Sequence, residues 1–190
     1  IMPCHSQADD EALARQVAEA FGLEMLKVDL RQPFEALLAQ LPSGERLAQA
    51  NIKSRLRMVT LYYLANQRNY MVLGTGNKTE LMVGYFTKYG DGAADLTPIA
   101  GLYKHQVWAL ARAIGVPEAI VKRKPSGGLW PGQTDEDDMG ISYSDLDAIL
   151  QALELGDASA CDPQLVQRVQ GMVARSEHKR RLPPIGPAAD

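Results

Sequence analysis

LGTGNKTELMVGYFTKYGDGAADLTPIAGLYK, residues 73–104, is the stretch on which the fold of this chain turns. The apolar run Tyr70-Met71-Val72-Leu73 leads into it and reads as a fully buried parallel strand. Gly74-Thr75-Gly76-Asn77 then falls at the carboxyl end of that strand, the edge at which open α/β sheets bind ligands. Behind it come Glu80, Lys88, the turn Tyr89-Gly90-Asp91-Gly92, Asp95 and Lys104. Charges of both signs, punctuated by glycine, mark a functional segment and not a linker.

Working outward, the spacing of apolar residues predicts a helix from Ser6 to Phe21 and a strand from Leu23 to Leu30. Leu26, Val28 and Leu30 would line its inner face. Pro33 is expected at the first position of a second helix. Asn51 to Asn66 reads as a helix apolar nearly all round, hence buried on several sides and suited to a subunit interface. On the other flank, helices are expected at 104–114 and 117–122 and from Ser144 and Pro163, with a basic tail at His178-Lys179-Arg180-Arg181. Residues 124–139 are rich in glycine, proline and acids, and are long enough for a mobile active-site loop. Strands alternating with helices imply an α/β fold with a parallel sheet.

The chain has 190 residues, enough for one domain with a sizeable core, and a formal net charge of −3. No basic footprint asks for nucleic acid, and no apolar run is long enough to span a membrane. No leader is evident. Cys4 and Cys161 make neither a disulfide framework nor a metal site, and read as free thiols of a cytoplasmic protein.

Taken singly, the polar residues have plain explanations beside chemical ones. Thr75 and Asp91 suit turns, and Glu80 suits a helix N-terminus. Ser126 is an ordinary loop serine, and Arg55 can snorkel from a helix surface. His178 and Lys179 fit a helix C-terminus. Lys104 is harder to dismiss. A lysine at a helix N-terminus opposes the dipole, and a backbone-amide anion site at the same helix end would suit a phosphate there. Trp130 can stack or pack. His5 beside Cys4 lacks a third, orienting group and makes a poor nucleophile pair.

GTGNKTE, YFTKYGDGAADLTPI and GLYK, in that order, closely resemble the NAD synthetases. NIKSRLRM at 51–58, KPSGGLWPGQTDEDDMGISY at 124–143 and SEHKRRLPP at 176–184 extend the resemblance over nearly the whole chain. The resemblance implies a Rossmann-like three-layer fold of the adenine nucleotide alpha-hydrolase type, with one synthetase domain over 1–190 and a basic, proline-rich tail at 176–190. It implies ATP-dependent amidation of deamido-NAD through an acyl-adenylate attacked by ammonia, giving NAD, AMP and pyrophosphate. Thr75, Lys104 and Ser126 would contact ATP, and Glu80 would bind Mg²⁺. Arg55, Lys88, Asp95, His178 and Lys179 would contact deamido-NAD. Asp91 would sit near the ammonia and help take its proton. A homodimer with the dinucleotide near its interface is implied as well.

One family feature is not found. A glycine-rich phosphate loop reading SGGxDS follows the first strand in the family, and Ser126-Gly127-Gly128 is not it. The resemblance therefore implies a central strand and loop upstream of Ile1, without which residues 1–190 are not expected to form a stable ATP-binding domain. Two alternatives stand beside it: another adenylating ATP pyrophosphatase such as GMP synthetase or a tRNA thiolase, and an inactive paralogue serving as an assembly module. The nitrogen source, free ammonia or glutamine through a separate domain, stays open.

Overall fold

Cap chemistry sets where most helices of this chain begin. In the computed structural model, which describes residues 1–187, Asn77 and Glu80 form a reciprocal capping box at the head of a short helix. Ser142 and Asp162 accept from backbone N–H groups two or three residues on. Pro163 follows Asp162 at the first helical position. The helices among the described residues are α1 Ala8–Ala20, α2 Arg31–Leu38, α3 Arg46–Arg68, α4 Lys78–Val83, α5 Lys104–Ala113, α6 Glu118–Val121, α7 Asp135–Met139, α8 Tyr143–Leu155 and α9 Pro163–Arg180.

Two cores result. The larger joins α4, α5, α8 and α9 around Val83, Tyr103, Tyr143, Leu146, Leu150 and Val169. The smaller is built from Cys4, Leu30 and Phe34, and packs α2 against α3 through Ile52 and Leu56.

The parallel sheet expected from the sequence is present among the described residues only as two short pairs. Residues 1–3 run parallel to residues 26–30: Ile1 donates to Leu26, Val28 donates to the Ile1 carbonyl at 2.9 Å, and Leu30 to that of Pro3 at 2.9 Å. Residues 72–74 run parallel to residues 95–96, with a bridge between Leu73 and Leu96 and a 2.7 Å bond from Gly74 N–H to the Leu96 carbonyl. Each pair lacks the second neighbour that would extend it into a ladder. Residues 70–73 are also not fully buried. Val72 is 6% exposed, but Met71, on the opposite face, is 63% exposed. Nothing among the described residues covers that face. Leu26 is likewise exposed, unlike Leu30.

Other expectations shift. Helix α2 starts at Arg31, which puts Pro33 at its third position. The helix read at 51–66 is longer, and it turns inward Ala50, Lys53, Ser54 and Ala65 while Val59, Leu61 and Tyr63 stay exposed. An all-round apolar pattern does not say which face is covered. His178, Lys179 and Arg180 form the last turn of α9, which packs along α4.

Candidate active site

Glu80 and Lys104 make the centre of the site. Glu80 Oε2 closes the capping box by accepting from Asn77 N–H at 3.1 Å. Its Oε1 faces Lys104 Nζ at 2.9 Å, and the two side chains are 18% and 14% exposed. Glu80 thus caps α4 with one oxygen, as its plain reading has it, and presents the other to Lys104. Tyr143 completes the group. Its ring lies 4.6 Å from Lys104 Nζ, and its hydroxyl donates to Asp135 at 2.8 Å with Glu80 Oε1 3.4 Å away. Burial pushes the Asp135 carboxyl above its ordinary range and the Tyr143 phenol upward too.

The backbone-amide anion site expected at the head of α5 is taken by the protein itself. Lys104 N–H donates to Thr79 Oγ1 at 3.0 Å and His105 N–H to Asp147 Oδ2 at 2.9 Å. Asp147 supplies the negative charge that offsets a lysine at this helix end.

Asp91 is held from below. Its Oδ1 accepts from Ser54 Oγ at 2.6 Å and Thr87 N–H at 3.0 Å, while its own N–H donates to Ser54 at 2.9 Å. Gly90 is required here, because a Cβ would collide with Ser54. Gly90 thus admits the protein's own α3, and Gly92 admits the Phe86 ring. Asp91, Thr75 and Glu80 together line a pocket of about 60 Å³ at the end of the strand-like segment 70–74.

The five residues expected at deamido-NAD divide into three groups. Arg55 donates to the Lys88 carbonyl at 3.3 Å and Lys88 Nζ to the His178 carbonyl at 2.5 Å, linking three basic residues on the surface. Lys179 points elsewhere. Its Nζ donates at 2.7 Å to the carbonyls of both Gly84 and Phe86, and burial lowers its pKa. Asp95 accepts from Val72 N–H at 2.8 Å and from Tyr62 at 3.3 Å, so it pins the 70–74 segment.

Two larger cavities, of about 960 Å³ each, flank this centre. Lys104 and Ser126 line one, with Arg123 and Trp108. Thr75, Asp91 and Lys179 line the other, with Ser54, Phe86 and Trp130. They share Met2, Arg57 and Gly127. Ser126 Oγ also accepts from Gly128 N–H at 3.1 Å, so its plain reading as a loop residue holds as well. The 124–139 segment is tethered to α3: Lys53 donates to the Leu129 carbonyl at 2.7 Å, and Arg46 stacks over Trp130 at 4.2 Å. Its end, 135–139, is helix α7.

Ser54, Thr79, Tyr143 and Asp147 are not singled out by the sequence reading. One signal pointed to Asp147. Tyr143, Asp147 and Leu150 stand at helical spacing, so a carboxylate shares the apolar stripe of α8, and a buried carboxylate demands partners.

A family model described as NAD synthase matches residues 1–183. The chain belongs to the NAD synthase family. The NH(3)-dependent NAD(+) synthetase of Carboxydothermus hydrogenoformans is 49% identical over 190 residues, covering 97% of this chain and 76% of the relative. That of Archaeoglobus fulgidus is 49% identical over 177 residues, 93% and 71% of the two chains. Among solved structures, the NMN synthetase from Francisella tularensis superposes with a TM-score of 0.90 at 37% identity, over 98% of this chain and 76% of that one. The NH3-dependent NAD synthetase from Campylobacter jejuni gives a TM-score of 0.83 at 28% identity over the same shares. The Rossmann-like fold of the family fits this chain.

Proposed function

We propose that this chain is an NAD synthetase: it joins ammonia to the nicotinate carboxyl of deamido-NAD at the expense of ATP. The observation that carries this is the 49% identity to NH(3)-dependent NAD(+) synthetases over 97% of the chain. A carboxylate must be activated before an amine displaces its oxygen. The nicotinate oxygen attacks the α-phosphorus of ATP and pyrophosphate leaves. The ammonia lone pair then attacks the acyl carbon and the bond to AMP breaks. Lys104 is assigned to the phosphates, with Thr75 and Ser126 on the nucleotide. Two cavities that adjoin at Met2, Arg57 and Gly127, one lined by Lys104 and the other by Thr75 and Asp91, support two substrates bound side by side. Asp91 is assigned to ammonium. Its Oδ1 is fixed by Ser54 and Thr87 while the residue faces the small pocket, which suits a carboxylate that takes one proton from NH₄⁺. Arg55, Lys88, Asp95, His178 and Lys179 are assigned to deamido-NAD.

Glu80 is assigned to Mg²⁺, and its setting suits that ion. Mg²⁺ takes oxygen ligands, commonly one or two carboxylates plus substrate phosphates, and Glu80 Oε1 is turned toward the lysine assigned to those phosphates. The bound ion would neutralise phosphate charge as pyrophosphate departs.

Three further assignments go with this reading. The two strand pairs are assigned to one three-layer parallel sheet. The exposed Val59, Tyr63 and Met71 suit a homodimer interface. The site of action is the cytoplasm. Among the described residues, no helix is long and apolar enough to cross a membrane.

The test is chromatographic: incubation with deamido-NAD, Mg·ATP and ammonium should yield NAD and AMP in equal amounts. No NAD under these conditions would refute the assignment. NMN formation from the mononucleotide acid alone would place the chain with the Francisella enzyme's activity instead.

A further inference from the structure

The head of α5 is gripped by two consecutive residues of α4. Thr79 Oγ1 accepts the main-chain N–H of Lys104 at 3.0 Å, and Glu80 Oε1 lies 2.9 Å from its Nζ. Thr79 is fully buried. Its hydroxyl has one proton, and that proton goes to Asp147 Oδ1 at 2.5 Å. The oxygen is thereby turned to accept from Lys104 and from nothing else. Asp147, 3% exposed on α8, uses its second oxygen on His105 N–H at 2.9 Å and stands 2.8 Å from His105 Nδ1. A carboxylate is the one group of this size that accepts all of these bonds while donating none. An ordinary N-cap comes from the residue preceding its own helix. Here the first two amides of α5 are capped by two other helices, which fixes residue 104 relative to Glu80.

We infer that Asp147 and Thr79 are positioning residues of the synthetase reaction, holding the first turn of α5 so that the Lys104 ammonium is presented beside Glu80 at the phosphates. This rests on the assignment of Lys104 to ATP made above. Asp147→Asn keeps the shape but loses one acceptor, so either the Thr79 hydroxyl or the His105 amide goes unpaired and the turn shifts. A misplacement of about 1 Å in a catalytic group costs up to about a hundredfold in rate.

The experiment is a double-mutant cycle on the intact enzyme, read as deamido-NAD-dependent ATP–pyrophosphate exchange. Thr79→Val should lower the exchange rate about tenfold to a hundredfold with KM for deamido-NAD unchanged. Thr79→Ser, which keeps the hydroxyl, should restore most of the rate. In a Lys104→Ala background, Thr79→Val should lower the rate further by less than about twofold, because residues acting through one group are not additive. Asp147→Asn should repeat the pattern and stands in if Thr79→Val does not fold. An undiminished loss in the Lys104→Ala background would overturn the inference and leave the Lys104 assignment intact. Near-normal exchange in Lys104→Ala alone would instead refute that assignment.

Discussion

The helical body and the extended segments of this molecule differ in how they satisfy their residues. In the body of α4, α5, α8 and α9, Tyr143, Leu146 and Leu150 are sealed from solvent, and the buried polar groups Thr79 and Asp147 bond each other. Along 70–74, Val72 is covered while Tyr70, Met71 and Leu73 are open, and among the described residues the backbone has one neighbour only. A packed helical body completes its own hydrogen bonds, whereas a strand depends on others for its ladder. The groups assigned to the reaction lie where the two regions meet. Lys104 and Glu80 are anchored in the body, and Thr75 stands at the end of the open segment.

The largest effect expected from this contrast is on stability. Leu150→Ala should cost about 2–5 kcal/mol by denaturant unfolding, as buried leucines do. A cost under about 1 kcal/mol would mean that the body is not the packed region described. Next, Lys104→Ala should slow adenylation by about two to three orders of magnitude, the loss expected for one transition-state charge contact. Turnover close to normal would remove the seam from the chemistry. Lys179→Met should lower stability by about 1–3 kcal/mol, since it leaves two carbonyls, of Gly84 and Phe86, without their donor. A change confined to KM, with stability unaltered, would show that Lys179 serves the substrate alone and that its bonds to these carbonyls contribute nothing to the fold.

Smaller effects probe the open region and the surface. Leu73→Ala should change stability by no more than about 0.5 kcal/mol. A cost of several times that would show that a second subunit or another segment covers this face. Glu154 gives the smallest expected effect. Its hydrogen bond with Lys78, then that with Tyr103, holds its carboxyl below the ordinary value of 4.5. The folded value lies below the unfolded one. The contribution is therefore present above pH 4.5 and lost as pH falls through the folded value. Acid unfolding of Glu154→Gln should differ slightly from wild type above that pH and converge below it.

The same contrast explains what the sequence made legible. Helices carry their own signals: α9 begins at Pro163 as expected, and α8 begins at Tyr143, one residue before the expected Ser144, under the cap of Ser142. The capping role of Glu80 was legible because capping boxes are local. The apolar stripe of α8 marks Asp147 as a buried carboxylate but does not name its partners, because Thr79 and His105 lie 68 and 42 residues away and no local rule brings them together. The inward face of α3 was misread for a related reason. Its buried Lys53 and Ser54 serve Leu129 and Asp91, while Val59, Leu61 and Tyr63 stay outside. The strand pairs were half legible: alternation marks an extended segment but does not name its neighbour.

The central claim is that deamido-NAD is adenylated at the Lys104–Glu80 seam. Its most direct test is isotope exchange between ATP and pyrophosphate. Exchange should require both Mg²⁺ and deamido-NAD, proceed without ammonium, and fall by about two to three orders of magnitude in Lys104→Ala. Exchange that proceeds without deamido-NAD, or that survives Lys104→Ala undiminished, would contradict it.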